Sequence, residues 1–307
     1  MSVLLEKMGL ILALLILGYM TVRFKIVPAD FTKSLSRLVM NVLLAGLILS
    51  SVINKDIPLG GWELVWAMLM ISLAYVISFA VALVCARLFP PLRTGDSGMY
   101  VLLMAFMNNG FMGFPLVAAF FGEEAVFIAS LSNIPLNFLL YTVGIRVLNN
   151  NGEKHGFSLR QVINIPIIAT LLACLIFAFR IPMPVFVDDL CDTVGASVVP
   201  LSMMCIGMSL GNVPVKAAVM QPKMYLISFV KLIVSPAVIW LVLRLLISDP
   251  LVLGVIMMVM LTPSAAICTI VGLENGRDGV ESSSGIFIST LLSSVTIPLM
   301  VFLLGIG

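Results

Sequence analysis

Apolar residues follow one another along most of this chain without the polar face that a soluble helix carries, and the interruptions come at nearly regular intervals. A helix that crosses a bilayer needs about 20 predominantly apolar residues. Runs of that kind, bounded by charged or turn-forming clusters, cover residues 3–22, 34–53, 62–86, 98–121, 125–147, 162–179, 194–210, 224–246, 251–273 and 279–304, and they predict ten transmembrane helices. The first run is N-terminal, as a secretory signal would be. Its apolar core is too long for one, and no small-residue cleavage site stands before Arg23 and Lys25, so it is read as a retained helix.

Two of the runs are flawed in the same way. Between Asp96 and Glu123 there is no charge, yet Asn108-Asn109-Gly110-Phe111-Met112-Gly113-Phe114-Pro115 places two carboxamides, two glycines and a proline in the middle of the fourth run. Thr262-Pro263-Ser264 interrupts the ninth. Proline removes a helical hydrogen bond, and irregular backbone at membrane depth is tolerated only where protein buries it or where it lines a water-filled cavity. Both interruptions therefore mark an interior site.

Composition excludes the soluble classes. With 61% hydrophobic and 10% charged residues and a mean hydropathy of +1.18 over 307 residues, the chain is far from a soluble domain, in which about 25% of residues are charged. The net charge of +2 belongs to a solvated cytoplasmic face and predicts no nucleic-acid partner. Cys85, Cys174, Cys191, Cys205 and Cys268 lack ligand-like spacing and are read as buried reduced thiols. No metal or cofactor is expected. His155 falls in a polar linker and is read as solvated.

Basic residues in short loops stay cytoplasmic. The loops after runs 1, 3, 5, 7 and 9 hold Arg23, Lys25, Lys33, Arg37, Arg87, Arg93, Arg146, Lys154, Arg160, Lys216, Lys223 and Arg277, against Lys7, Lys55, Arg180 and Arg244 on the other side. Glu123, Glu124, Asp188, Asp189 and Asp192 lie on the less basic side, so both termini are expected to be extracytoplasmic in a multi-pass protein of the cell membrane. The polar stretch 149–160 divides the chain into residues 1–148 and 161–307, with five runs each. An odd number per half inverts the second relative to the first, the inverted-repeat plan of secondary transporters. Phe24-Lys25-Ile26-Val27-Pro28 echoes Phe179-Arg180-Ile181-Pro182, and Gly122-Glu123-Glu124-Ala125-Val126 echoes Gly276-Arg277-Asp278-Gly279-Val280. The paired breaks in runs 4 and 9 are a third correspondence, and such pairs point to a substrate site.

At these residues the chain resembles the auxin efflux carrier family, within the superfamily that also holds bile-acid and arsenite transporters. The likeness lies in the Asn-x-Gly-Phe-x-Gly-x-Pro pattern of run 4, in Thr262-Pro263-Ser264, in Leu273-Glu274-Asn275-Gly276-Arg277-Asp278, and in the Ser-rich run 10 that ends at Leu299. The resemblance implies an all-α fold of ten helices in which broken helices 4 and 9 cross near the midplane. Helices 1, 2, 6 and 7 would form a scaffold, against which helices 3–5 and 8–10 move as an elevator-like transport domain. It also implies a homodimer and, because the central linker is short, kinship with compact prokaryotic members that carry malate, malonate and related organic acids; auxin-like acids belong to the same class.

Broken helices expose free N–H groups at the starts of their second halves, worth about half a positive charge each, and anions settle there. Asn108 and Asn109 add donors and acceptors, Gly110 and Gly113 admit a ligand to the backbone beside Phe111, and Pro115, Pro263 and their neighbours Thr262 and Ser264 keep the breaks open. The alternative is that the asparagines only cap loose backbone at a kink. Lys231 is a charge inside run 8, which is costly and usually functional; it either faces the bundle or snorkels to the interface. Asn41 and Pro200 fall at equivalent scaffold positions, with Ser202 nearby, and face either a cavity or a packed neighbour. Asn133, Asn137, Ser289, Ser293 and Ser294 are small polar residues suited to interhelical packing. Only Glu6, Glu63 and Glu281 enter the runs, all near their starts, so no carboxylate relay for protons or sodium is visible and the coupling ion is open. An anion channel is one rival reading. A membrane prenyltransferase is another, since Asp188-Asp189-Leu190-Cys191-Asp192 has the acid spacing of a magnesium diphosphate site, but a second acidic motif is missing and the charge count puts this one outside.

Overall fold

The computed structural model describes residues 2–28, 30–55, 57, 60–149, 162–212, 219–277 and 279–306. Most of the linker, with Lys154, His155 and Arg160, and also Lys216 and Asp278, lies outside the described residues. The described chain is built of helices: α1 (Ser2–Arg23), α2 (Phe31–Ser50), α3 (Gly61–Leu88), α4 (Ser97–Ala105), α5 (Asn109–Phe121), α6 (Ala125–Leu148), α7 (Ile165–Phe179), α8 (Val185–Asn212), α9 (Pro222–Leu243), α10 (Pro250–Met260), α11 (Ile267–Glu274) and α12 (Gly279–Leu304). Among the described residues six helices, α2, α3, α6, α8, α9 and α12, are long and apolar enough to cross a membrane. Shorter apolar helices include α5, α7, α10 and the Gly9–Arg23 part of α1. The chain is a multi-pass membrane protein.

Four helices widen by a π-helical turn, at Val39–Leu43 in α2, Asn109–Gly113 in α5, Leu140–Gly144 in α6 and Val230–Val234 in α9. Two of these have a visible cause. Pro115 and Pro236 stand just beyond the turns at 109–113 and 230–234; each lacks an N–H and its ring crowds the carbonyl one turn back, so the local winding loosens.

Two compact units divide the chain, and neither is one of its halves. The first takes Met1–Leu69, Asn109–Asn133 and Ile163–Asn212; the second takes Met70–Asn108, Ile134–Val162 and Val213–Gly307. In the first unit α1 lies against the second half of α8 at backbone distance, because Gly18 faces the backbone of Met204 and Gly207 faces that of Leu15, with no room for a Cβ at either position. Small residues permit this approach where lipid supplies no hydrophobic drive between helices. Gly195 of α8 likewise rests on the Leu47 backbone of α2, and Asn212 donates to Thr32 Oγ1 at 3.0 Å. In the second unit α9 packs along α12, and Gly285 of α12 meets Leu103 of α4 and Met224 of α9.

The echoes seen in the sequence have matching local geometry. Lys25 and Arg180 are both left-handed, at φ 58° and 47°. The next amide closes a wide turn in each case, Ile26 N–H to Thr21 O at 2.8 Å and Ile181 N–H to Ile176 O at 3.2 Å. Gly122 and Gly276 both have positive φ, at 92° and 71°, where a Cβ would be strained. Asp96 and Asp249 each cap a helix, accepting from Met99 N–H and from Leu251 and Val252 N–H.

Outside the spans, Lys55 pairs with Asp192 at 3.2 Å. Burial pulls its ammonium down, but the hydrogen bond and charge of Asp192, with Asp188 and Glu123, outweigh it and hold the group above its ordinary 10.5. A raised lysine contributes stability that is complete below its unfolded value and is lost as pH rises through the folded one. In thermal melts, Asp192→Asn should lower Tm slightly at pH 7, and the difference from wild type should vanish above about pH 11. Packing gives a stronger expectation. Gly207→Leu should drive α1 from α8, lowering Tm by several degrees or abolishing the monodisperse peak in detergent.

Candidate functional site: the crossing of two interrupted helices

The second unit contains the break at Thr262-Pro263-Ser264 and, in the other span, a break at Phe106–Asn108 that lies ahead of most of the Asn108–Pro115 motif, and these two breaks meet. α4 ends at Ala105 and Phe106 turns to extended backbone, φ −104° and ψ 136°. α10 ends at Met260, and the chain runs extended through Pro263 and Ser264 before α11 begins. The two extended segments pair antiparallel, with Met107 opposite Ser264. Asn108 N–H donates to Pro263 O at 3.0 Å and Ala265 N–H donates to Phe106 O at 3.1 Å. Each break thus satisfies peptide groups that the other leaves open, as buried backbone requires.

Side chains complete the joint. Ser264 Oγ donates to Leu103 O at 2.7 Å, and Ser289 Oγ of α12 accepts from Ser264 N–H at 3.3 Å. Ser78 of α3 donates to Ala105 O at 3.0 Å, and Ser235 of α9 donates to Ser78 Oγ at 3.1 Å. Cys268 of α11 points its thiol at Leu102 O, 3.5 Å away. Thr262 Oγ1 closes on Val259 O at 2.8 Å. The carbonyls at the end of α4 are therefore held by the hydroxyls of Ser78 on α3 and Ser264 in the facing break and by the thiol of Cys268 on α11, and Thr262 and Ser264 are wholly buried.

Lys231 stands in the π turn of α9 that packs against α4 and α12. It is 0% exposed, the one charged residue among the buried described residues, and its Nζ has no hydrogen-bond partner. The snorkelling alternative does not hold, since the side chain ends inside the protein. Cys268 of α11 lies in its neighbourhood.

The boundary between the units falls between Asn108 and Asn109. Asn108 belongs to the crossing and is 8% exposed. In the first unit Asn109, 2% exposed, donates to Ser132 Oγ at 2.7 Å. Gly110 and Gly113 are buried, Phe111 is half-buried, and a Cβ at Gly110 would lie 2.9 Å from Met40 Sδ. Pro115 is buried within α5, downstream of the extended residues, so it loosens the π turn and does not itself form the break. Asn41 sits exposed in the π turn of α2. Pro200 is half-buried, and Ser202 donates to Val199 O at 3.2 Å. Asn133 and Asn137 are buried, while Ser293 and Ser294 bond their own helix at Thr290 O and Leu291 O. A cavity of about 780 Å³ in the first unit is lined by Asn54, Lys55, Arg180 and apolar neighbours; none of the sequence-predicted site residues lines it.

Sequence reasoning missed Ser78, Ser132 and Ser235. A single hydroxyl in an apolar run carries no signal of its own; only Ser235, next to Pro236, stood beside a feature that marks irregular backbone. At the crossing, Ser264→Ala should leave Leu103 O without its donor in a dry place, costing about 1–3 kcal/mol, and a thermal melt in detergent should show Tm falling by several degrees, while Ser294→Ala, on the exposed side of α12, should leave it unchanged.

Residues 3–301 match the sequence profile of a family described as membrane transport protein. An uncharacterised transporter of Methanothermobacter thermautotrophicus is 28% identical over 290 residues, covering 94% of each chain. Another, from Methanocaldococcus jannaschii, is 26% identical over 298 residues, covering 94% of this chain and 95% of its own. A buried crossing of two interrupted spans, in a chain this apolar and matched along nearly its whole length, places the protein in the membrane transport protein family, that of the auxin efflux carriers.

Proposed function

We propose that this protein is a secondary transporter that moves small organic anions, malate- or malonate-like carboxylates or auxin-like acids, across the cell membrane by alternating access. The observation that carries the reading is the antiparallel pairing of Phe106–Asn108 with Pro263–Ala265. It brings together two broken spans whose second halves, α5 and α11, begin with amides that have no partner within their own helix. A carboxylate placed at the crossing would meet the positive N-terminal end of α11, the carboxamide of Asn108 and the side chain of Lys231, all in the second unit. Counting α4 with α5 and α10 with α11 as single passes gives ten spans, with both termini extracytoplasmic. As the family resemblance implies, α1, α2, α7 and α8 form the scaffold of a homodimer, and α3–α6 with α9–α12 form the moving transport domain. The matched caps at Lys25 and Arg180, at Gly122 and Gly276, and at Asp96 and Asp249 support an inverted repeat.

Pure protein in liposomes should show saturable uptake and counterflow of labelled malate, malonate or indole-3-acetate, whereas a channel would give flux without counterflow. Asn109→Ala should raise the dissociation constant about five- to tenfold. Pro263→Leu restores an N–H and lets α10 run on into α11, so transport should cease; wild-type flux from a well-folded Pro263→Leu protein contradicts the reading.

A further inference from the structure

Lys231 is unusual among the buried groups. Its Nζ is enclosed and carries no hydrogen bond, and the next turn of the same helix is tied by hydroxyls to the break: Ser235 donates to Ser78, which donates to Ala105 O. We propose that Lys231 carries a coupling proton, its amine taking up one proton from the entry side as the cargo carboxylate docks and releasing it as the cargo leaves, so that each anion crosses together with one proton. This rests on the transport reading above and adds the coupling ion to it.

The argument is electrostatic. Desolvating an ammonium is very costly unless an anion or several acceptors replace its water, and a buried group without them sheds its charge instead. Among the described residues the surroundings supply no anion. Tyr100 is the titratable group on α4 and Glu281 that on α12, and the two are engaged with each other at 2.9 Å. On the first turns of α9, Lys223 donates to Thr94 O at 3.0 Å and lies over the Tyr100 ring, with Tyr225 exposed nearby. From α11 comes only Cys268, whose thiol is turned toward Leu102 O. A carboxylate entering the crossing would be the first counter-charge this amine meets. The balance closes as carboxylate, amine and one proton giving a carboxylate–ammonium pair, with no redox step and no bond broken beyond the proton's own. For a monocarboxylate such as indole-3-acetate, an empty carrier and a loaded one then both return without an isolated buried charge, and for malate or malonate the loaded carrier holds one negative charge in place of two.

The test uses the full-length protein with malonate, malate and indole-3-acetate as probes. In binding assays from pH 6 to 9, wild-type affinity should fall by about tenfold per pH unit over the alkaline part of the range. In liposomes, malonate or malate uptake should draw in one proton per anion, read by an internal pH dye against protein-free vesicles. Lys231→Arg, which keeps its charge at every pH, should bind with no pH slope and move no proton. Lys231→Met should bind weakly, also without slope. Wild-type uptake without proton movement, or wild-type proton stoichiometry in Lys231→Met, overturns the proposal while leaving the carrier intact; absence of binding and flux with all three acids overturns the transport reading, and the proposal with it.

Discussion

Everything in this protein follows from the absence of water at membrane depth. A peptide group there must find its partner within the protein, so a broken helix is tenable only if something else supplies hydrogen bonds. Here the two breaks supply them to each other. Four backbone atoms close two bonds across the antiparallel pair at Met107 and Ser264, and a ring of small donors, Ser78, Ser264 and Cys268, takes up the carbonyls at the end of α4. The break in each span is stable because the other exists.

That mutual dependence explains the distribution of polar residues. Among its described residues the second unit buries hydroxyls at the ends of the broken helices, and buries one charge, Lys231, where no partner is provided. Hydroxyls are structural in this setting. An unpaired buried amine is not stabilising, and that is the observation on which the proposed proton-carrying role of Lys231 rests.

The sequence made the membrane class, the helix runs and both interrupted spans legible, because continuous apolar character and proline inside it are strong local signals. The break at Thr262–Ser264 lay where Pro263 marks it. In the other span the extended residues are Phe106–Asn108, ahead of the Asn-Gly-Pro motif, because their conformation is set by pairing with the distant Ser264; Phe106 and Met107 look like ordinary helix formers. Pro115 and Pro236 were visible, but the π turns they induce were not read, and those at Val39–Leu43 and Leu140–Gly144 have no proline to announce them. Asn109 bonding Ser132 and Ser235 bonding Ser78 are tertiary facts, beyond any local pattern. Lys231 was visible as a charge in a span; its complete enclosure was decided by packing against α4 and α12.

The central claim is the register of the crossing, and a cross-link reads it directly. Met107 and Ser264 are a non-hydrogen-bonded antiparallel pair, the arrangement in which Cα atoms approach to about 4.5 Å and side chains come closest, within disulfide range. With Cys85, Cys174, Cys191, Cys205 and Cys268 replaced, the double substitution Met107→Cys with Ser264→Cys should oxidise to an intramolecular disulfide in membranes, seen as a mobility shift that reductant reverses. Failure of a folded double variant to cross-link, or equal cross-linking when the second cysteine is placed at Val259 within α10, would contradict the pairing on which the account stands.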